Sequence, residues 1–341
     1  MSTVQESSIQ DAVRWRDSEE VRERDSVGIR VSDPLFLLAP PRSFTSVICA
    51  MLGQHPRMYG LLETSLFCAE TMREWLGACQ QAHFPMAHGL LRTVAQLIFG
   101  GQTEENVRDA KAWIRRRSHC TTGYIFELLA ARVVPRIMVE KSPSMVYRLA
   151  SLRRTYEMFP NARYVHLVRH PCGHAQSVLK HLRKEEERGA APGWLVGLAS
   201  WSTDYEAPAE PKPPLDPQHG WLQLHRNVKE FLSTIPPHQQ RRFQSEDFLT
   251  SPERTMRELL QWLGLSSETA IIEEMRHPER WCYASLGPGN ARFGTDRFFL
   301  EAPELRPGRV EPLSLDGPLS WLPGATLLPE VKQLAVEFGY N

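Results

Sequence analysis

The feature that constrains the fold most is an apolar segment that runs through a short polar turn into a helix. The turn and the helix start read Pro41, Arg42, Ser43, Phe44, Thr45 and Ser46. Unpaired backbone N–H groups and the helix dipole make such a start attractive to anions. The guanidinium and the three hydroxyls of this turn add further hydrogen-bonding groups. The sequence therefore predicts a site for a nucleotide phosphate or an isosteric anion; a helix cap formed by Ser43 or Thr45 is the alternative.

The same order of an apolar run and a polar turn occurs twice more. A run that starts at Val133 leads to Lys141, and a run that starts at Tyr164 leads to Arg169. Helical spacing separates these two runs. Strands that alternate with helices favour an α/β fold, here a P-loop-like three-layer α/β/α structure with a mainly parallel central sheet. Ligands bind outside the carboxyl ends of such strands, so the three turns are expected to line one crevice.

The length of the chain allows one large domain or two small ones. Its 341 residues are 42% hydrophobic, which is enough for a substantial core. No composition change marks a second domain, so we expect a charged tail or loosely docked helix at 1–30 and a single domain at 31–341. A proline-rich stretch at 206–219 is expected to form an irregular surface loop within that domain.

Charge and cysteine usage exclude several classes of function. The 40 basic residues balance the 40 acidic ones, so no overall field favours nucleic acid or an anionic membrane surface. No apolar stretch is long enough for a transmembrane segment and the N-terminus has no signal-peptide core, which predicts a cytoplasmic protein. The six cysteines are widely spaced, so free thiols are expected rather than a disulfide framework or a metal site.

The first turn also differs from a Walker A motif. G-x-x-x-x-G-K-[ST] requires two glycines and a lysine, and the turn has none of them. This difference disfavours a conventional ATPase or kinase.

Four segments in order resemble the sulfotransferase family, which uses 3'-phosphoadenosine 5'-phosphosulfate (PAPS) as its sulfuryl donor. They are Pro41-Arg42-Ser43-Phe44-Thr45-Ser46, similar to the 5'-phosphosulfate loop; Glu140-Lys141-Ser142-Pro143-Ser144; Val168-Arg169-His170-Pro171 with Ser177, similar to the 3'-phosphate motif; and Glu246-Asp247-Phe248 through Trp262-Leu263-Gly264-Leu265. The resemblance covers about residues 33–300. The stretch GPGNARFGTDRFFL and others resemble sulfotransferase domains of polyketide assembly lines, which sulfonate a hydroxyl on a carrier-bound acyl chain.

The resemblance implies a reaction and a set of ligands. The reaction is transfer of a sulfuryl group from PAPS, without a metal, to a hydroxyl of a lipid-like, polyketide or carrier-bound hydroxyacyl acceptor. Arg42 and Lys141 would stabilise the charge that moves during transfer. The donor-binding residues implied are Arg42, Ser43, Phe44, Thr45, Ser46, Arg169, Ser177 and Arg292. Arg169 and Ser177 would bind the 3'-phosphate, with Arg292 as a second ligand; a salt bridge and a helix-turn serine are the structural alternatives for the first two.

A hydroxyl acceptor also needs a general base. Family members use a histidine close to the lysine segment or a glutamate after the first helix. Ser142 and Pro143 follow Lys141, so the histidine is missing, and Glu63 fits the glutamate. A surface glutamate that caps the next helix is the alternative for Glu63.

Two positions depart from the family pattern. Phe44 stands where the family usually has glycine, and Ser245 stands where relatives often have an aromatic residue that stacks on adenine. A side chain at the glycine position is strained if the backbone φ is positive there. Phe44 therefore keeps open a non-catalytic module that binds adenosine bisphosphate or docks within a biosynthetic assembly. A phosphotransferase that reuses the same loop is the other alternative.

Overall fold

A parallel sheet lies at the centre of the protein. Within the residues that the computed structural model describes (31–81, 86–187, 216–306, 310 and 313–341), five strands form this sheet. They are β1 (Leu35–Leu38), β2 (Met58–Gly60), β3 (Ile137–Glu140), β4 (Arg163–Val168) and β5 (Gln240–Gln244). Their spatial order is β2-β3-β1-β4-β5, and all neighbours are parallel. The predicted α/β fold with a parallel central sheet is confirmed.

Helices connect the strands and continue after β5. Their bounds are Thr45–Leu52, Met72–Gln81, His88–Phe99, Glu104–Arg116, Thr122–Ala131, Leu149–Met158, Pro171–Glu187, Pro217–Leu232, Asp247–Thr250, Pro252–Leu263, Thr269–Met275, Arg297–Glu301 and Pro329–Glu337. Short 3-10 helices lie at Leu66–Cys68, Pro143–Met145, Pro237–Gln239, Pro278–Arg280 and Gly289–Ala291. No helix in the described part of the chain is both long enough and apolar enough to cross a membrane.

Both faces of the sheet are buried. Alternate residues of a strand point to opposite faces, so β1 contributes to two separate apolar clusters. On one face the ring of Phe36 stacks on Tyr164 at 5.5 Å and meets Phe67 edge-on at 5.2 Å. On the other face Leu37 lies in a cluster with the helix Pro252–Leu263. Burial on both faces is typical of a parallel sheet between two helical layers, and it explains why β1 is apolar throughout.

Two boundaries differ from the predictions. The apolar run that starts at Val133 begins with a turn, and the strand itself starts only at Ile137. Residues 206–215 of the predicted proline-rich loop, like the predicted tail at 1–30, lie outside the described residues. The loop prediction is wrong for residues 217–219, because a helix begins at Pro217. The Asp216 side chain accepts a hydrogen bond from the Gln218 N–H at 3.1 Å, and proline is favoured in a first helical turn.

Candidate active site

The predicted segments directly follow three strands and lie at one edge of the sheet. The turn 41–44 follows β1, Lys141 follows β3 and Arg169 follows β4. Because these strands are parallel and β1 pairs with both β3 and β4, their carboxyl ends lie side by side. The segment that carries Glu63 follows β2 at the same edge. Ligands of α/β proteins bind at this edge of the sheet, outside the carboxyl ends of the strands.

The turn after β1 has an unusual backbone. Arg42 and Phe44 adopt positive φ angles of 68° and 58°, which cost a non-glycine residue about 1–2 kcal/mol each. Phe44 is therefore strained in the position where the family usually has glycine. Ser43 between them is fully buried, and its Oγ has no hydrogen-bond partner among the described residues. Ser43 does not cap the helix that begins at Thr45, so a buried hydroxyl remains available to an anion at that helix start.

The ammonium of Lys141 joins four segments of the site. Its side chain is fully buried, and Nζ donates to Glu63 Oε1 at 2.6 Å, to Ser46 Oγ at 3.1 Å and to Thr295 Oγ1 at 2.5 Å. The hydroxyls of Ser46 and Thr295 are themselves 2.8 Å apart. A buried charge requires such partners. The lysine thus places the Glu63 carboxylate beside the start of the helix Thr45–Leu52.

A buried carboxylate holds this pair in place. Glu140 Oε1 accepts from the Ser142 N–H at 2.8 Å and from the Ser142 hydroxyl, and Oε2 accepts from Thr64 Oγ1 at 2.8 Å. The Ser142 hydroxyl in turn accepts from the Ser65 N–H at 2.9 Å. Burial raises the pKa of the Glu140 carboxyl, against the effect of these hydrogen bonds. The network links the segment after β3 to the segment after β2, on both sides of the lysine.

Arg169 and Ser177 both contact the turn after β1. Arg169 Nη1 donates to the Arg42 carbonyl, and its guanidinium carbon lies 3.9 Å from the centre of the Phe44 ring. Arg42 Nε donates to Ser177 Oγ at 3.3 Å. Burial lowers the pKa of Arg169 to about 10, against the effect of the Glu246 carboxylate, so the residue remains a cation at neutral pH. The two predicted phosphate-binding regions are thus in direct contact.

Two residues that the sequence reasoning missed complete the site. Thr295 accepts from the lysine, and Asp296 Oδ1 lies 2.7 Å from Arg42 Nη1. Burial disfavours ionisation of Asp296, but the charge of Arg42 and the hydrogen bonds from Arg42 and the Phe298 N–H outweigh it and lower its pKa. Both residues follow Arg292 in the stretch GPGNARFGTDRFFL, which resembles the family. The resemblance of this stretch was the one sequence feature that could have pointed to Thr295 and Asp296.

A buried arginine fixes the 285–296 segment. The guanidinium of Arg92 donates to the carbonyls of Ser285 and Phe293, both at 2.9 Å, and to Gln102 Oε1 at 2.7 Å. The segment then meets the candidate base directly, because the Glu63 N–H donates to the Gly294 carbonyl at 2.7 Å. Arg92 and the His88 ring, which accepts from the Phe293 N–H at 3.2 Å, therefore orient the segment that carries Thr295 and Asp296.

Arg292 is the predicted site residue that the structure does not bring to the others. Its side chain is exposed, and its guanidinium has no hydrogen bond or ion pair with any described residue. Its carbonyl accepts from the Gly287 N–H at 2.8 Å. A role for Arg292 at the 3'-phosphate stays a prediction.

A histidine also supports the turn after β1. His174 is buried, and its Nε2 lies 3.0 Å from the Pro41 carbonyl. Burial, reinforced by the charge of Arg169, lowers the pKa of His174 to about 3. The ring is therefore neutral at physiological pH and donates its Nε2–H to Pro41. In the described ranges no cluster of histidine, cysteine, aspartate or glutamate side chains could hold a metal ion.

Comparison with known proteins identifies the family. A family model described as "Sulfotransferase family" matches residues 34–269, more than half of the chain. The sulfotransferase domain from the curacin biosynthetic pathway has a TM-score of 0.67 at 20% identity, over 92% of this chain and 99% of that one. The sulfotransferase domain from the Synechococcus PCC 7002 olefin synthase has the same score and identity, over 92% of this chain and 96% of that one. No curated protein matches significantly. The turn after β1 and the segments with Lys141 and Arg169 all lie in the matched range, and the chain belongs to the sulfotransferase family.

Proposed function

We propose that this protein transfers a sulfuryl group from PAPS to a hydroxyl of a small-molecule acceptor, free or bound to a carrier. The observation that carries the proposal is the position of Lys141 Nζ, 2.6 Å from Glu63 Oε1 and 3.1 Å from Ser46 Oγ. A carboxylate that can accept a proton and a cation that can stabilise a leaving anion lie together at the start of a helix. Sulfuryl transfer, like phosphoryl transfer, requires this combination.

The donor is proposed to bind across the carboxyl ends of β1 and β4. The first N–H groups of the helix Thr45–Leu52 and the unpartnered Ser43 hydroxyl would hold its 5'-phosphosulfate. Arg169 and Ser177 would hold its 3'-phosphate. Arg42, which contacts both of these residues, would neutralise charge between the two anionic groups.

The proposed reaction is an in-line displacement at sulfur. The acceptor oxygen forms a bond to sulfur while the bond between sulfur and the bridging phosphate oxygen breaks, which leaves adenosine 3',5'-bisphosphate. Glu63 takes the proton of the acceptor hydroxyl through Oε2, which makes no hydrogen bond within the described residues. Lys141 and Arg42 stabilise the negative charge on the leaving oxygen.

The nature of the acceptor is the second part of the proposal. The two similar structures named above are domains of a biosynthetic pathway and of an olefin synthase. Their context supports an acceptor that is an intermediate of biosynthesis, and we propose a hydroxyacyl chain on a carrier protein or its free equivalent. Glu63 is 30% exposed at its side chain, so the proposed base can be reached from outside.

Calorimetry and a transfer assay test the proposal together. We expect the protein to bind adenosine 3',5'-bisphosphate at least tenfold more tightly than 5'-AMP, a difference of about 1.4 kcal/mol. We also expect sulfur-labelled PAPS to yield a labelled product with a carrier-bound hydroxyacyl acceptor. Equal affinity for the two nucleotides would overturn the proposal. Bisphosphate binding without transfer to any hydroxyl would favour the non-catalytic module, and tight binding of ATP with magnesium would favour a phosphotransferase.

A further inference from the structure

The ring of Phe44 covers one face of the Arg169 guanidinium. The distance of 3.9 Å from guanidinium carbon to ring centre is well within the range of cation–π interactions. The same guanidinium donates through Nη1 to the Arg42 carbonyl. The turn after β1 thus contacts the Arg169 guanidinium twice: the Phe44 ring lies on one face, and the Arg42 carbonyl accepts a hydrogen bond at one edge.

The backbone at Phe44 makes this contact informative. Its φ of 58° lies in the left-handed region, which glycine adopts without strain and any side chain adopts at a cost. The ring also packs against the apolar cluster that contains Leu37 and Val165. These contacts of the ring offset the backbone cost, so the side chain is an integral part of the turn.

The remaining edge of the guanidinium is open. Arg169 Nε and Nη2 make no hydrogen bond with any residue in the described part of the chain. A Cβ atom built on Gly173 would lie 3.6 Å from Nε and 3.8 Å from Nη2, so the helix Pro171–Glu187 approaches this edge without filling it. Arg169 is half-buried, and burial lowers the pKa of its guanidinium. Cation–π attraction is stronger for such a partly desolvated cation.

We propose that Phe44 is a positioning residue that determines how strongly the site prefers a nucleotide with a 3'-phosphate. The ring confines the guanidinium of Arg169 to one plane, so that its open edge faces the ligand and can donate two parallel hydrogen bonds. A nucleotide without the 3'-phosphate makes no use of this edge. The inference rests on the proposed function, because it assigns Arg169 to the 3'-phosphate of the donor.

Three substitutions at one position separate the ring from the backbone. Phe44→Leu keeps an apolar side chain and the same backbone cost but removes the π face. Phe44→Tyr keeps the π face, and Phe44→Gly removes both the ring and the strain. Trp262→Leu is the matched control, because it breaks a cation–π contact with Arg163 outside the site.

Calorimetry with adenosine 3',5'-bisphosphate and with 5'-AMP gives the readout, after thermal unfolding has shown that each variant folds. We expect Phe44→Leu and Phe44→Gly to weaken bisphosphate binding about tenfold, a loss between those typical of exposed and of desolvated cation–π contacts. Binding of 5'-AMP is expected to weaken much less, because it reports only a change in the 5'-phosphate turn, to which Phe44 also belongs. The ratio of the two affinities therefore measures the effect on the 3'-phosphate. Phe44→Tyr should retain the preference for the bisphosphate, because it keeps the π face. Trp262→Leu should leave that preference unchanged.

The outcomes distinguish this inference from the proposed function. A wild-type preference for the bisphosphate that Phe44→Leu retains in full would overturn the role of Phe44 and leave the proposed function intact. Equal weakening of both nucleotides would also overturn it, since the ring would then support the whole turn. A wild-type protein with no preference would overturn the proposed function and this inference together.

Discussion

Lys141 Nζ lies 2.6 Å from Glu63 Oε1 at the carboxyl edge of the sheet. The contact joins the segment after β3 to the segment after β2, and the same ammonium reaches Ser46 in the helix that follows β1. With Thr295, which also accepts from this ammonium, four segments of the chain therefore meet at one nitrogen atom. Substitutions at this edge should separate effects on chemistry from effects on binding and folding.

Glu63→Gln should abolish transfer without loss of donor binding. The amide cannot accept the proton of the acceptor hydroxyl, so we expect turnover to fall about 10²- to 10⁴-fold. Bisphosphate affinity should stay within about threefold, because Glu63 is not proposed to contact the nucleotide. Single-turnover kinetics and calorimetry measure the two quantities, with the exposed Glu105→Gln as control. Unchanged turnover in Glu63→Gln would remove this residue from the mechanism.

Lys141→Met should affect chemistry far more than folding. The variant removes a buried charge and keeps a similar apolar length, while the partly exposed Glu63 carboxylate can turn to water. Removal of one partner of a fully buried ion pair costs about 3–5 kcal/mol, and water at the partly exposed Glu63 reduces that cost, so we expect the free energy of unfolding to fall by about 1–2 kcal/mol. Transfer should fall at least about 10²-fold, because the leaving oxygen loses one of its two proposed cations. Urea unfolding and single-turnover kinetics provide the comparison; a folded variant with normal turnover would contradict the assignment.

Asp296→Asn should increase affinity for the bisphosphate. The Asp296 carboxylate pairs with Arg42 at 2.7 Å, and an anionic ligand at Arg42 must compete with it. Asparagine can still accept from the Phe298 N–H, so the start of the helix Arg297–Glu301 is retained. We expect affinity to rise about three- to tenfold at low salt, with a smaller gain at high salt. Calorimetry at two ionic strengths measures the gain, and weaker binding at low salt would show that the carboxylate orients Arg42 for the ligand.

The stability of the turn after β1 should depend on pH through His174. Its pKa is lowered to about 3 in the folded protein, first by burial and then by the charge of Arg169. The unfolded chain takes up a proton below about pH 6.5, so the stability present above that pH is lost as pH falls towards 3. His174→Gln keeps a donor for the Pro41 carbonyl and removes the titration. We expect the slope of unfolding free energy between pH 6 and pH 4 to decrease by about 1.4 kcal/mol per pH unit.

Urea unfolding at several pH values measures this slope. The exposed His219→Gln is the control and should leave it unchanged. An unchanged slope in His174→Gln would mean that the histidine is protonated without cost in the folded protein.

The interior of the sheet could be predicted from sequence, and its edges could not. β1, β3 and β4 are buried and apolar, and each was found from its composition. β2 has only three residues, Met58–Gly60, too few to show a period. β5 reads QRRFQ, with exposed arginines, because an edge strand needs little apolar sequence. The hydrophobic signal is weak at β5 because that strand is partly exposed, and at β2, which is buried, because the strand is short.

The residues of the candidate site also fall into two groups, those that could be predicted from sequence and those that could not. Arg42, Lys141 and Arg169 were found because each follows an apolar strand, where the rule for α/β sheets applies. Thr295 and Asp296 follow no strand. They reach the site through the hydrogen bonds of Arg92 to the 285–296 segment, more than 190 residues away in sequence. Such long-range contacts leave no pattern in the local sequence.

The pairing of β1 with β4 sets the spacing of the two turns that carry Arg42 and Arg169. Adjacent strands lie about 4.8 Å apart, and backbone hydrogen bonds fix that spacing. The turns that carry Arg42 and Arg169 leave from these two neighbours, so the sheet fixes the distance between the backbone points from which the two side chains extend. Substitution of a nearby side chain can change the direction of either guanidinium, but the spacing of the two strands stays the same.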